Sequence, residues 1–214
     1  MSDETYLSLT HESVRSTPAD VLLAQLKAEF IRTNPCALLH PHGFHVVLLS
    51  RTDEEEWRFH FWPRSPRVIS GMPAFIHTHD RHVDSWILQG RLTNITYDVQ
   101  TVPVRGKPLY EVGYAGDRYR STTSNVLRRT ALRVQTDVLS EATMQSGESY
   151  RVNSHDYHEA VVPEDLCTAT LVRMHARAPG AVRVVGLDGY PETIAFRRTE
   201  LNAEVFVARL VPQP

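Results

Sequence analysis

The stretch IHTHDRHVDSWILQG (residues 76–90) places three histidines, two aspartates and an arginine directly before an apolar run that ends at Gly90. Alternate residues of a strand face the same side of a sheet, so His77 and His79 are expected to point the same way. Two imidazoles fixed in this way, joined by a third from a facing strand, would make a compact metal site. The alternative interpretation is a solvated loop that leads into a buried strand.

The composition restricts the class of protein. The chain has 214 residues, with 42% hydrophobic and 22% charged residues, which is typical of a globular protein and predicts one domain over residues 1–214. A net charge of −2 gives no field that would attract nucleic acid or an anionic membrane. Only two cysteines are present, Cys36 and Cys167, so a reducing, cytoplasmic compartment is expected. No signal peptide or membrane-spanning run is recognisable.

One amphipathic helix precedes the strands. Thr17 suits the N-cap and Pro18 suits the first helical position. Apolar residues then recur at helical spacing until Asn34-Pro35 interrupts the pattern. The sequence therefore predicts a helix over residues 18–33.

After the helix, the hydrophobic period is mostly two, and glycine or proline separates short apolar segments. The predicted strands are 43–50, 56–62, 74–79, 83–89, 91–98, 108–114, 127–139, 148–152, 157–162, 167–175, 181–187 and 204–211. Many short strands with regular turns indicate an all-β sandwich or barrel. We expect the barrel over about 40–190, an excursion from it over about 99–135, and C-terminal strands within 181–211.

A second histidine-bearing stretch lies at 147–162 and reads GESYRVNSHDYHEAVV. It contains a turn glycine and a short strand, and then His155 and His158 lead into another apolar strand. A second strand of this kind could supply the third imidazole.

Together the two stretches resemble the two motifs of the cupin superfamily, with its RmlC-like fold. The first motif is matched by Gly71, His77, His79 and Gly90, and the second by Gly147 through His158, with Asn153 and His155 replacing the usual proline and second glycine. The resemblance covers roughly residues 40–190. It implies a cupin-type double-stranded β-helix, or jelly-roll barrel, with the N-terminal helix laid against it.

The resemblance also implies a metal ion bound by His77, His79 and His158. His158 is preferred as the third ligand because it follows a tight turn and begins an apolar strand. Fe(II) is the metal expected, and Zn, Ni and Mn are the alternatives.

Many cupins add a carboxylate ligand after the histidine pair, and this sequence departs from that pattern. Counting back from Gly90 puts Val83 at the position of the usual glutamate, and Asp84 fits only if the strand is one residue shorter. Strand alternation favours Val83 facing inward and Asp84 facing outward. A site of three histidines without a carboxylate is therefore expected, with Asp84 as a fourth ligand kept open and with Asp80 and His82 near the site or solvated.

A three-histidine cupin is similar to the thiol dioxygenases, the cysteine dioxygenase group, which hold ferrous iron in this way. The stretch SWILQGRLTNITYDV (85–99) resembles the strand that follows the iron ligands in that group. The strand FHVVLL (44–49), however, lacks the arginine that the group uses for the substrate carboxylate. The strand TLVRMHA (170–176) has Arg173 and His175 where the group carries a Ser-His-Tyr relay. Cysteine is therefore expected to be a poor substrate.

Three side chains are the catalytic candidates for proton transfer or substrate binding: His175, Tyr157 and Arg173, with His155 as a further possibility. His175 is favoured because its strand is expected to face His158.

Two questions about the cavity wall remain open at the level of sequence. In EWRFHFWP (56–63), Arg58 and His60 share one face and three aromatic residues share the other, so either face could line the cavity. The arginines between 118 and 133 suit a solvated excursion or a basic lid. His40, His42 and His45 have no motif around them and are expected in a loop or on the surface.

The ligand set, together with the resemblance to the thiol dioxygenases, implies a reaction class. Three neutral imidazoles on Fe(II) leave about three coordination positions for substrate and dioxygen. We therefore expect a mononuclear non-heme Fe(II) dioxygenase whose partners are dioxygen and a small, anionic substrate, with a homodimer compatible with the fold. A Zn- or Ni-dependent isomerase or lyase and a non-catalytic small-molecule-binding cupin share the same ligands and stay open as alternatives.

Overall fold

All the strands among the described residues belong to two antiparallel sheets. The computed structural model describes residues 9–67, 69, 74–117 and 119–210. The strands are β1 Ala37–Leu39, β2 His45–Arg51, β3 Glu55–Trp62, β4 His82–Gln89, β5 Arg91–Val102, β6 Lys107–Tyr114, β7 Asn125–Gln145, β8 Ser149–Val152, β9 Tyr157–Val161, β10 Thr168–His175, β11 Arg183–Val185, β12 Thr193–Phe196 and β13 Thr199–Leu201. The first sheet has seven strands in the order β13-β1-β2-β3-β10-β4-β8, and the second has six, in the order β11-β6-β7-β5-β9 with β12 paired to β7.

The described part of the chain has three helices: α1 His11–Ser16, α2 Ala19–Thr33 and α3 Ala203–Leu210. The expected all-β jelly-roll architecture with an N-terminal helix is confirmed. The expected helix over 18–33 corresponds to α2, whose N-cap is Pro18 rather than Thr17. The short helix α1, capped by Thr10, was not predicted because it shows only one buried apolar side chain, Val14.

The helices cover the outer face of the seven-stranded sheet. From β3, Trp57, Phe59 and Phe61 are almost completely buried in one cluster with apolar side chains of α2 and α3. Phe30 of α2 packs edge-on against Phe59, with ring centroids 5.2 Å apart. Because side chains alternate along a strand, the other face of β3 must point between the two sheets.

The segment that contains the first histidine pair joins the edges of the six-stranded sheet. Residues 74–79 do not form the predicted strand, but His77 bridges His158 of β9 on one side and Val184 of β11 on the other. The His77 amide donates to the His158 carbonyl and the His158 amide donates to the His77 carbonyl, each at 3.0 Å. These backbone bonds fix His77 and His158 side by side.

Two further expectations about the chain are wrong. Residues 204–211 were expected as a strand, whereas 203–210 form α3, with Phe206 and Leu210 one helical turn apart in the core beneath it. Residues 99–135 were expected to leave the barrel, whereas the end of β5, all of β6 and the start of β7 lie in the six-stranded sheet. Long β5–β7 pairing from Arg91 to Val102, with one register shift between Thr96 and Tyr97, extends this sheet.

Backbone conformation supports two of the motif positions. Gly90 and Gly147 have φ values of +77° and +91°, which glycine adopts without a steric penalty. His155, at the position of the second glycine of the cupin motif, also has a positive φ of +67°. Its strained backbone is held by a hydrogen bond from its amide to the His79 carbonyl at 2.8 Å. Gly71 lies outside the described residues.

Within the described residues, no helix combines the length and the apolar character needed to cross a bilayer.

Candidate metal centre

Three histidine side chains converge between the sheets. The ligand-capable atoms of His77, His79 and His158 all lie within 4.8 Å of one another, so this group could hold a metal ion. His79 Nε2 and His158 Nε2 are 2.9 Å apart. Two nitrogens bound at right angles to one metal at about 2.1 Å would be about 3 Å apart, so the observed separation fits a shared ion.

The hydrogen bonds of two of these rings select the tautomer that a metal needs. His77 Nδ1–H donates to the Phe75 carbonyl at 2.7 Å, and His158 Nδ1–H donates to Asn94 Oδ1 at 2.8 Å. Each bond leaves the Nε2 lone pair of its ring available to a metal. Partners of this kind orient ligand rings and raise their basicity in metalloproteins.

The environment also keeps the rings neutral, as metal ligation requires. Burial lowers the pKa of His77, although the hydrogen bond to the Phe75 carbonyl opposes this shift. Burial lowers the pKa of His158 well below its usual value, and the neighbouring His77 adds to the effect. The group is therefore prepared for a cation at neutral pH.

A cavity of about 70 Å³ opens beside the three histidines. Both sheets contribute to it, and its wall combines polar and apolar side chains: His40, His42, Phe44, Arg58, His60, Trp62, Arg67, Phe75, His77, His79, Val83, Tyr150, His158, Ala160, Val172 and Met174. The question left open for β3 is thereby answered. Arg58, His60 and Trp62 face the cavity because the alternate aromatic face is buried under the helices.

Val83 and Asp84 take the faces expected from strand alternation. Val83 lines the cavity, whereas Asp84 is buried on the other face of the sheet. There the Asp84 carboxylate accepts from Arg151 Nε at 2.6 Å and from His175 Nε2 at 2.9 Å. Among the described residues, the ligand-capable group contains no carboxylate.

The catalytic candidates lie outside the cavity, because side chains alternate between the two faces of each strand. Val172 and Met174 of β10 line it, so Arg173 and His175 project from the opposite face, where Arg173 Nε donates to Glu55 Oε2 at 2.6 Å.

Tyr157 precedes the inward His158 and packs instead with Leu109, Val134 and Val185. The structure thus places His175, Tyr157 and Arg173 outside the cavity wall.

The other polar residues near the motifs have partners of their own. Asp80 forms an ion pair with Arg177 at 3.2 Å. His82 Nδ1 accepts from the Ser154 amide at 3.1 Å, and the His155 ring contacts the Pro179 carbonyl at 3.0 Å. Neither histidine belongs to the converging group in the described part of the chain.

His40 and His42 lie in a loop, as expected, but this loop lines the cavity rather than the surface alone. They belong to the tight connection between β1 and β2, in which the His40 amide donates to the Phe44 carbonyl at 2.7 Å. The His42 ring lies 5.0 Å from the His77 ring, and the His40 ring stacks on Phe44.

The only sequence signal for this cavity position is the density of histidines in HPHGFH (40–45), because the contact with residue 77 is long-range. His45, the third of them, is instead buried near Phe206.

Substitution of Asp84 by asparagine should leave the metal content nearly unchanged, because this carboxylate faces away from the three histidines. The measurement is metal per protein after equilibration with Fe(II) or Zn(II). A loss as large as that caused by His79→Ala would instead restore Asp84 as a fourth ligand.

Asn94→Ala should weaken metal binding by about 10- to 100-fold, the usual effect of removing the partner of a ligating histidine. The cause is loss of the acceptor that holds His158 Nδ1–H. Competition with a chromophoric chelator gives the affinity. Asn94→Asp retains an acceptor oxygen and is the matched control, so an equal loss in both variants would contradict this role.

Comparisons with known proteins find only low similarity. No family model matches the chain, and no curated protein matches it. Solved structures that resemble it include an RmlC-like cupin from Shewanella frigidimarina, with 12% identity over 63% of this chain and 77% of that chain, at a TM-score of 0.33. KdgF from Halomonas sp. has 14% identity over 63% and 81% of the two chains, at a TM-score of 0.32. L-ribose isomerase from Cellulomonas parahominis has 11% identity over 79% and 91%, at a TM-score of 0.35. These similarities are too low to indicate an activity or a family. The chain itself shows two antiparallel sheets with a three-histidine group between them.

Proposed function

We propose that this chain is a mononuclear non-heme Fe(II) dioxygenase that acts on a small molecule bound at the three-histidine centre. The observation that carries the proposal is the convergence of His77, His79 and His158, with no carboxylate in the group among the described residues, beside a buried cavity. Three neutral ligands leave the full charge of a divalent ion uncompensated, which favours capture of an anionic donor atom of the substrate.

When bound there, Fe(II) would supply the oxygen chemistry and adjacent coordination positions for dioxygen and substrate. The chain itself supplies orientation. Asn94 and the Phe75 carbonyl hold two of the ligand rings, and the backbone pairing of His77 with His158 fixes their separation. Such rigid support is what keeps a metal site in its productive geometry.

The cavity wall would exclude water from the reaction. Phe44 and Trp62 stack with ring centroids 4.6 Å apart, and Val83, Val172 and Met174 form an apolar cluster on the neighbouring strands. An apolar wall lowers the local dielectric and strengthens interactions between the metal and an anionic ligand. The small volume restricts the substrate to few heavy atoms.

The test is anaerobic reconstitution with Fe(II), followed by an oxygen electrode and a panel of thiols, diketones and catechols. We expect oxygen uptake that depends on Fe(II) and on one class of substrate, without added 2-oxoglutarate. His79→Ala is the control and should abolish uptake.

Turnover that proceeds equally well without oxygen, or full activity with Zn(II) in place of Fe(II), would contradict the proposal. Either result would place the chain with metal-dependent isomerases or lyases. Ligand binding without turnover of any compound would favour a non-catalytic binding protein.

A further inference from the structure

A second depression lies outside the metal cavity, at the end of the barrel where β4 begins. It is an open groove of about 860 Å³ between the turn that joins β2 to β3 and the segment that follows β6. None of the described residues that line the groove also lines the cavity beside the three histidines. A ligand in this groove would therefore be bound apart from the metal.

Arg81, the residue directly before β4, contributes a buried charge to the wall of the groove. It is only 7% exposed, and its Nε and Nη1 atoms are shielded from solvent without a hydrogen-bond partner in the described part of the chain. Arginine does not lose its proton in proteins, so this side chain cannot become neutral when it is buried. Because buried polar groups are nearly always hydrogen-bonded and buried charges are paired, these atoms indicate a partner that the chain does not supply.

Two of the carboxylates that line the groove already have an arginine partner. Asp80 forms an ion pair with Arg177 at 3.2 Å. Asp117 accepts two hydrogen bonds from the Arg51 guanidinium, at 3.0 and 3.2 Å. Both carboxylates are therefore neutralised without Arg81.

The two remaining carboxylates of the described lining are not partners of Arg81 either. Glu56 is buried and accepts from Arg58 Nη2 and from the Tyr119 hydroxyl. Asp53 is exposed, so water and salt screen its charge. Among the residues that the structure describes, Arg81 is thus the buried charge of this groove without a counterion, which makes the missing partner an anion.

We propose that Arg81 binds an oxyanion in this groove, and that the ligand is a small molecule with a phosphate group. Hydrogen bonds from arginine to phosphate or carboxylate oxygens are charge-assisted and roughly twice as strong as neutral ones. A phosphate group offers three acceptor oxygens and close to two negative charges at neutral pH, which is more of both than a carboxylate offers. The open groove leaves space for the rest of the molecule. This site goes beyond the function proposed above and does not depend on it.

The experiment measures thermal unfolding of the full-length protein with a chelator present, so that phosphate cannot act through a bound metal. Inorganic phosphate is the probe, and potassium chloride at the same ionic strength is the reference. The unfolding temperature should rise with the phosphate concentration, as it does for any ligand that binds only the folded state. Acetate, which has fewer acceptor oxygens and less charge, should raise it less.

Arg81→Met should weaken phosphate binding, measured by isothermal titration calorimetry, by about 10- to 100-fold, the effect of losing a charge-assisted hydrogen bond. Without phosphate, the same variant should unfold at a temperature equal to or above that of the unmodified protein, because it removes a buried charge that has no partner. An arginine with a purely structural role would give the opposite result. Arg91→Met removes an exposed arginine beyond the other end of β4 and is the matched control, which should bind phosphate as the unmodified protein does.

Stabilisation by phosphate that is no greater than stabilisation by chloride would overturn the inference. Undiminished phosphate binding by Arg81→Met, or a lower unfolding temperature of this variant without phosphate, would overturn it as well. None of these readouts depends on metal content or on turnover, so the phosphate site and the proposed function can fail separately.

Discussion

Alanine at position 77, 79 or 158 should each remove most of the bound metal. Complete zinc sites with four ligands bind with about 10–16 kcal/mol, or about 3 kcal/mol per ligand, so loss of one imidazole should weaken binding by more than about 100-fold. The ligand atoms of His77, His79 and His158 are mutually within 4.8 Å, so each substitution leaves only two imidazoles in the group. Metal content by mass spectrometry after gel filtration, together with circular dichroism to verify folding, checks this expectation.

His82→Ala and His155→Ala are the matched controls, since both lie near the motifs and neither ring joins the group in the described residues. Both variants should retain metal. If His155→Ala emptied the site and His158→Ala did not, the assignment of the third ligand would be wrong.

Mild acid should strongly destabilise the metal-free protein. Burial lowers the pKa of His42 to about 3 and that of His45 to about 4. Burial also holds the pKa values of His40 and His60 well below the usual value, with nearby arginines adding to the effect. Below pH 6.5 these histidines therefore bind protons in the unfolded chain but stay neutral in the folded chain. The free energy of unfolding falls as the pH falls, and it stops falling only below the pKa values of the folded state.

The expected size of this effect is large. Each histidine that stays neutral in the fold costs about 1.4 kcal/mol per pH unit below 6.5, or about 2 kcal/mol at pH 5. For His42 and His45 together the loss at pH 5 is about 4 kcal/mol, a large part of the stability of a typical domain, and His40 and His60 change the stability in the same direction. Urea unfolding at pH 7.5, 6 and 5 in the presence of a chelator measures the loss. His45→Gln, away from the cavity, should reduce the pH dependence by about one residue's share, and a free energy of unfolding that is constant over this range would contradict the expectation.

Local patterns were sufficient for the features that depend on near neighbours in the chain. The helix α2 followed from apolar spacing and a flanking proline, and the opposite faces of Val83 and Asp84 followed from strand alternation. The histidine pair at 77 and 79 and the later His158 were recognised from their glycine frames. The structure brings all three side chains together.

The local pattern was ambiguous in a segment whose apolar residues fit both the period of a strand and the period of a helix. AEVFVARL (203–210) alternates well enough to resemble a strand, yet Phe206 and Leu210 also lie one helical turn apart. The contact of Phe206 with Phe30, 5.7 Å between ring centroids, joins residues that are far apart in sequence. A packing partner of this kind, absent from the local sequence, selects the helix.

The strand-rich class, the leading helix, the three histidine ligands and the outward position of Asp84 could all be predicted from sequence, because each depends on periodicity or on a short motif. Long-range packing determines which face of β3 lines the cavity, since the helices must first cover Trp57, Phe59 and Phe61. It likewise brought His40 and His42 to the site and turned Arg173 and His175 away from it. These outcomes depend on contacts between distant segments, and no local period contains that information.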